Sequence, residues 1–197
     1  MGSVGGKIVC LLLASLGASA LAVPALLGLT LLGGNLHEVG GGVIRAAQMS
    51  PADLASTIQA QGVRSILNLR GEHPGESWWQ EERAVAEANG VEYISVSLSA
   101  RHKPDLATMR HLAAVMQGAP KPLLIHCLQG ADRTGLASAI YELSQGQAAG
   151  EAADQLSLMF GHFPWLGNKT RAMDEAFAEY SAADATPSPA AASVAAR

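Results

Sequence analysis

The chain has 197 residues, enough for one domain with a substantial core. Its net charge is −4, its basic residues are scattered and aromatics make up only 5%, which argues against a nucleic-acid surface built on a basic stripe or a stacking platform. The two cysteines, Cys10 and Cys127, sit in unrelated contexts and make no disulfide framework.

Residues 8–32 carry no charge. Such a run is long enough to cross a hydrocarbon core of ~30 Å with some tilt. Lys7 precedes it and Arg45 is the first basic residue after it, which favours the N-terminus inside and the domain outside. The rival reading is a cleaved signal peptide, with residues 8–16 as its apolar region and Ala18-Ser19-Ala20 as the cleavage site. Either reading exports the domain. Cys10 reads as one more apolar residue of this run. The division expected is 1–34 as anchor or signal, 35–182 as the domain, and 183–197 as a disordered Ala/Ser/Pro tail.

Residues 36–39 and 43–46 read as two short strands around Gly40-Gly41-Gly42. Ser50 caps a helix with Pro51 in its first position and Gly62 at its end. Residues 63–69 form a strand and 70–75 a loop. Ser77 is expected to cap the next helix with Gln80 as its capping-box partner, and Asn89-Gly90 to stop it. Residues 91–97 alternate as a strand, and 98–104 form a loop. Leu106, Met109, Leu112, Ala113 and Met116 recur at helical spacing. Pro122-Leu123-Leu124-Ile125 is a buried strand, and residues 136–141 begin a helix. Ala152, Leu156 and Met159 suggest another helix and residues 172–180 a last one. Strands alternating with helices predict an α/β fold, a mainly parallel central sheet with helices on both faces. Ligands of such sheets sit beyond the carboxyl ends of the strands.

The chemistry concentrates in His126-Cys127-Leu128-Gln129-Gly130-Ala131-Asp132-Arg133-Thr134-Gly135, between that strand and helix. A loop there can fold as a nest of N–H groups around an anion at a helix N-terminus. Cys127 at its base is the nucleophile expected, because N–H groups and the helix dipole favour a thiolate. Arg133 offers a planar fork for two phosphate oxygens. Thr134 can donate its hydroxyl to the sulfur. The backbone from Leu128, Gln129, Gly130 and Ala131 to Asp132 and Arg133 would bind the phosphate. The bland alternative is a buried thiol beside a surface arginine.

These residues resemble the signature of the cysteine-dependent tyrosine and dual-specificity phosphatases: His-Cys, five residues, Arg, then Ser or Thr. Asn35-Leu36-His37-Glu38-Val39, Ile44-Arg45-Ala46-Ala47-Gln48 and Ile66-Leu67-Asn68-Leu69-Arg70-Gly71-Glu72 are similar to the opening segment and second strand of the bacterial dual-specificity branch. Its members are often exported or anchored, which with residues 8–32 places the domain in the periplasm on a single-pass inner-membrane helix. The resemblance spans about residues 35–180 in layout and implies a dual-specificity phosphatase-like fold. It implies phosphomonoester hydrolysis through a phosphocysteine, without metal or organic cofactor. The expected partner is a phosphorylated protein or a phospholipid or inositol phosphate, and a non-catalytic phosphate-binding module is the alternative of another class.

The general acid stays open on the sequence. Asp105 lies next to the 98–104 loop, where relatives carry an aspartate, and its bland role is a charge at a helix start. Asp132 immediately precedes the motif arginine, as in some lipid phosphatases, or braces the loop. His102 is a further candidate. His126 is expected to support the loop from behind. Arg70 touches substrate or pairs with Glu72 or Glu76. Of the adjacent Trp78 and Trp79, one belongs to the core and the other to a lid or surface. His111 and His162 have no ligand-spaced partners, so no metal site is predicted. The sequence leaves the oligomeric state undetermined.

Overall fold

The computed structural model describes residues 33–165 and 169–184. The apolar run at 8–32 and the tail from 185 lie outside these residues. Among the described residues no helix is long and apolar enough to cross a membrane.

Five strands form one sheet: β1 (His37–Gly40), β2 (Val43–Ala47), β3 (Ser65–Asn68), β4 (Glu92–Ser95) and β5 (Leu123–Cys127), in the order β1-β2-β5-β3-β4. β1 and β2 form an antiparallel hairpin, and every other pairing is parallel. β5 is therefore central, with Ala47 opposite Cys127 on one side and Asn68 opposite His126 on the other.

Helices cover both faces, as expected. α1 (Pro51–Gln61) and α2 (Ser77–Ala88) lie on one face; α3 (Leu106–Gly118), α4 (Asp132–Ser144) and α6 (Arg171–Asp184) lie on the other. Side-chain alternation along β5 divides the core. Leu123, Ile125 and Cys127 pack with Met109, Leu112, Leu136, Ile140 and Phe177, while Leu124 joins Leu54, Ile58, Ile66 and Ala86.

Local signals act as predicted in α1. The Ser50 hydroxyl accepts from Asp53 N at 3.2 Å, Pro51 opens the helix, and Gly62 closes it in the left-handed region at φ 63°. Two expectations need correction. Ser77 is the first residue of α2 rather than its cap; Glu76 holds that position without a side-chain bond, and the Gln80 amide donates to Pro74 O at 2.7 Å. The helix expected through Ala152, Leu156 and Met159 is a single turn, α5 (Ala149–Ala152), followed by 3₁₀ turns at Ala153–Gln155 and Leu158–Phe160. Met159 is exposed. This stretch wraps the start of α4 rather than packing as a continuous amphipathic rod. The last helix runs to Asp184, so the first two residues assigned to the tail are helical.

Candidate active site

β5 delivers Cys127 to the carboxyl end of the sheet, 3% exposed. The chain then turns through 128–131 into α4. Ala131 stands at the cap position of α4 and offers no capping side chain, so the first N–H groups of that helix are not taken up by its own cap.

The orientation of the loop follows from its carbonyls. Gln48 N donates to Leu128 O at 3.2 Å and Asn35 Nδ2 to Gln129 O at 3.1 Å. Arg45 Nη2 donates to Gly130 O at 2.7 Å, and Gly135 N to Ala131 O at 2.9 Å. In a planar trans peptide the following N–H points opposite its carbonyl. Anchoring these carbonyls outward therefore turns the N–H groups of Gln129, Gly130, Ala131 and Asp132 into the hollow of the loop. Gly130 is needed for this path: its φ is +69°, and a Cβ there would lie 2.6 Å from the Ala46 carbonyl.

Arg45 is the anchor that sequence reasoning missed. It is fully buried, and among the described residues no carboxylate is bonded to it. Nη1 donates to Gln155 O at 2.9 Å and to Gln155 Oε1 at 2.5 Å, and the guanidinium stacks on Phe160 with 3.8 Å to the ring centroid. Burial lowers its pKa to about 10, while negative charge at Cys127 and Glu142 acts the other way. A charged residue amid the apolar strand 43–47 was the available signal. We expect Arg45→Met to cost about 2–4 kcal/mol of stability in denaturant unfolding, because buried carbonyls lose their donor. An unchanged midpoint would show that the loop holds its shape without Arg45.

Arg133 and Thr134 occupy the first turn of α4. Arg133 Nη1 donates to Leu98 O at 3.3 Å and more weakly to Leu69 O at 3.5 Å, so it spans the loops after β4 and β3. Its Nε and the Thr134 hydroxyl are buried without a partner among the described residues. Arg70 lies in the same field: burial first, then the neighbouring Arg133, lowers its pKa, and charge at Glu82 and Cys127 opposes this. Arg70 does not pair with Glu72 or Glu76. It donates to Gln48 Oε1 and stacks on Trp78, 3.6 Å from the ring centroid. Trp78 is thus half-buried beneath the Arg70 guanidinium, and Trp79 belongs to the core.

Behind the loop, His126 Nε2 lies 2.9 Å from Glu82 Oε1, both side chains being buried. The Tyr93 hydroxyl donates to that same oxygen at 2.6 Å, and burial with the Glu82 contact pushes its pKa well up. Glu82 and Tyr93 were not singled out in the sequence because nothing local links them to His126.

The two acid candidates are placed differently. Asp105 caps α3, its Oδ1 accepting from Thr108 N at 2.7 Å, and the side chain is exposed. Bonding to Thr108 holds its carboxyl below the ordinary range. Asp132 Oδ1 lies 2.7 Å from His162 Nδ1. His102 is exposed, with Nδ1 3.0 Å from the Ser99 hydroxyl.

A family profile described as "DSP-PTPase phosphatase fused to NAD+ Kinase" matches residues 40–171. A comparison with curated proteins finds no match. Among solved structures, a cysteine-to-serine variant of Pseudomonas aeruginosa TpbA in complex with pTyr is similar at 20% identity; the match covers 79% of this chain and 93% of that one, with a TM-score of 0.61. The core catalytic domain of the PP-IP phosphatase Siw14 from Saccharomyces cerevisiae is 21% identical over 71% of this chain and 83% of its own, with a TM-score of 0.58. PTPMT1 is 18% identical over 76% and 98%, with a TM-score of 0.54. At such identities the solved structures speak to the fold alone.

Proposed function

The chain belongs to the cysteine-dependent dual-specificity phosphatases, and from that premise we propose that it removes phosphate from phosphorylated protein side chains, phosphotyrosine foremost. The observation that carries the reading is the loop whose carbonyls are anchored outward around Cys127, with Arg133 in the first turn of α4 tied to the Leu69 and Leu98 carbonyls.

The Cys127 sulfur attacks phosphorus as the bond to the leaving oxygen breaks. N–H groups from Leu128 to Arg133, with the Arg133 fork, hold the equatorial oxygens, and a phosphate oxygen gives Arg133 Nε its partner. The Thr134 hydroxyl donates to the sulfur when the S–P bond later breaks. Asp105 gives its proton to the leaving oxygen and takes one back from the water that attacks the phosphocysteine. Asp105 is preferred over Asp132 because it is exposed beside the 98–104 loop, whereas Asp132 is held by His162. The role requires Asp105 to release the Thr108 bond that keeps its carboxyl low, since that bond favours the ionised form. His126, backed by Glu82, has Nδ1 3.3 Å from the Cys127 carbonyl and so braces the nucleophile's backbone.

Leaving-group dependence tests the assignment. An aryl phosphate with a very acidic phenol departs unaided, whereas tyrosine needs a proton. Asp105→Asn should slow phosphotyrosine turnover by about 10²-fold and the activated aryl phosphate only slightly. Equal slowing of both, with a stability loss of about 0.5–2 kcal/mol, would reduce Asp105 to its capping role. Asp132→Asn is the matched control.

One observation favours a second reading, an inositol phosphate or phospholipid substrate. Arg133 reaches the carbonyl of Leu69, the residue before Arg70, so the two guanidiniums stand in one region and oppose each other, and a second phosphate group would relieve that repulsion. A panel pairing phosphotyrosine peptides with inositol phosphates and lipid phosphates separates the two.

A further inference from the structure

His162 takes no part in the chemistry above. It follows the left-handed Gly161, is fully buried, and is gripped from two helices. Nδ1 lies 2.7 Å from Asp132 Oδ1 on α4, and Nε2 lies 3.0 Å from Asp174 Oδ2 on α6. An imidazole facing carboxylate oxygens at both nitrogens completes both bonds only with a proton on each. Burial by itself lowers its pKa, but the hydrogen bonds and charges of Asp132 and Asp174, the charged groups facing it from the two helices, raise it above the ordinary histidine value.

Asp132 is the residue before Arg133 and opens the helix whose N-terminus the substrate dianion approaches. A carboxylate free in that turn would repel the dianion, and its side chain is short enough to compete for the loop's N–H groups. We propose that His162 is a positioning residue for phosphate: it turns Asp132 away from the cradle and offsets its charge, with Asp174 as the second anchor. This rests on reading the cysteine loop as a phosphate cradle. The linkage also explains why the 3₁₀ stretch before His162 wraps the start of α4: it delivers the ring to the one acidic residue of the loop.

The test is a double-mutant cycle on the full chain. Inorganic phosphate binding by calorimetry and steady-state turnover of an aryl phosphate are compared for wild type, H162Q, D132N and D132N/H162Q. H162Q is expected to weaken phosphate binding about tenfold and raise KM in parallel while kcat changes little, the size of effect one unpaired neighbouring charge gives. In D132N/H162Q affinity should return to within about threefold of D132N. Unchanged phosphate affinity in H162Q overturns the proposal, and so does a loss that D132N does not relieve, which marks a packing brace. If H162Q does not fold, D174N in a Cys127→Ser background replaces it, read with inorganic sulfate, which stays a dianion as pH rises. A raised histidine is charged below its folded pKa and loses the charge above it. Removing Asp174 should move the alkaline loss of sulfate binding to lower pH, and an unmoved profile overturns the proposal. Wild type failing to bind phosphate at all refutes the cradle itself, and the inference falls with it.

Discussion

Cys127→Ser is expected to lower phosphomonoester turnover by at least about 10⁴-fold, since a neutral serine hydroxyl is a far weaker nucleophile than a thiolate. Phosphate affinity should survive. The groups that shape the cradle are Arg45, Asn35 and Gln48 on one side and the start of α4 on the other, and none of them bonds to the sulfur. The exchange of sulfur for oxygen is also nearly isosteric in a site only 3% exposed, so the core around Ile125 and Leu136 should keep its packing. The measurement is paired: turnover of a phosphotyrosine peptide and calorimetric binding of phosphate on the same preparation. Turnover retained within a few-fold of wild type would remove Cys127 from the role of nucleophile.

Arg133→Lys should lose at least about 10²-fold in kcat despite its unchanged formal charge, the size of effect reached when a preorganised oxyanion donor is removed. A guanidinium can do two things at once here. One nitrogen holds the carbonyls after β3 and β4, and the others remain for phosphate oxygens. A lysine ammonium is a single point with flexible reach. If it bonds Leu98 O it abandons the oxygens, and if it meets the oxygens the two loops lose their tie. The loss should fall mainly on kcat, since the charge still draws the dianion in and the planar fork matters most as phosphorus becomes trigonal bipyramidal. Near-wild-type kcat in this variant would mean that Arg133 serves the loops and not the reacting group.

The parts of the molecule visible in the sequence are those whose causes are local. The cysteine loop is one continuous segment, and the strand before it and helix after it announce themselves by apolar runs. The Ser50 cap and the Gly62 stop are decided within one turn of chain. Glu76 and Ser77 differ by one position, and both can stand at a helix start, so pattern alone does not separate them. What stayed hidden depends on strand order. Arg45 reaches Gly130 because β2 pairs with β5, and His126 meets Glu82 because α2 covers that face of the sheet. Neither neighbour can be found along the chain. Asp132 was read as an acid or a brace from its place beside Arg133; its partner His162 lies thirty residues on, past turns that the helical pattern had disguised as one more helix.

The hairpin of β1 and β2 comes first among the described elements, yet the second edge of β2 is paired only by β5. Asn35 closes on Gln129 and on Phe160 across most of the domain. Contacts so distant in sequence are costly to close and form slowly. The bonds that shape the cradle therefore draw on segments far apart in the chain, Asn35 and Arg45 on one side and the 128–160 stretch on the other. With the hairpin undocked, Cys127 would lack the Asn35, Arg45 and Gln48 bonds that shape the loop around it. The cysteine loop is thus completed by the same long-range closures that complete the fold.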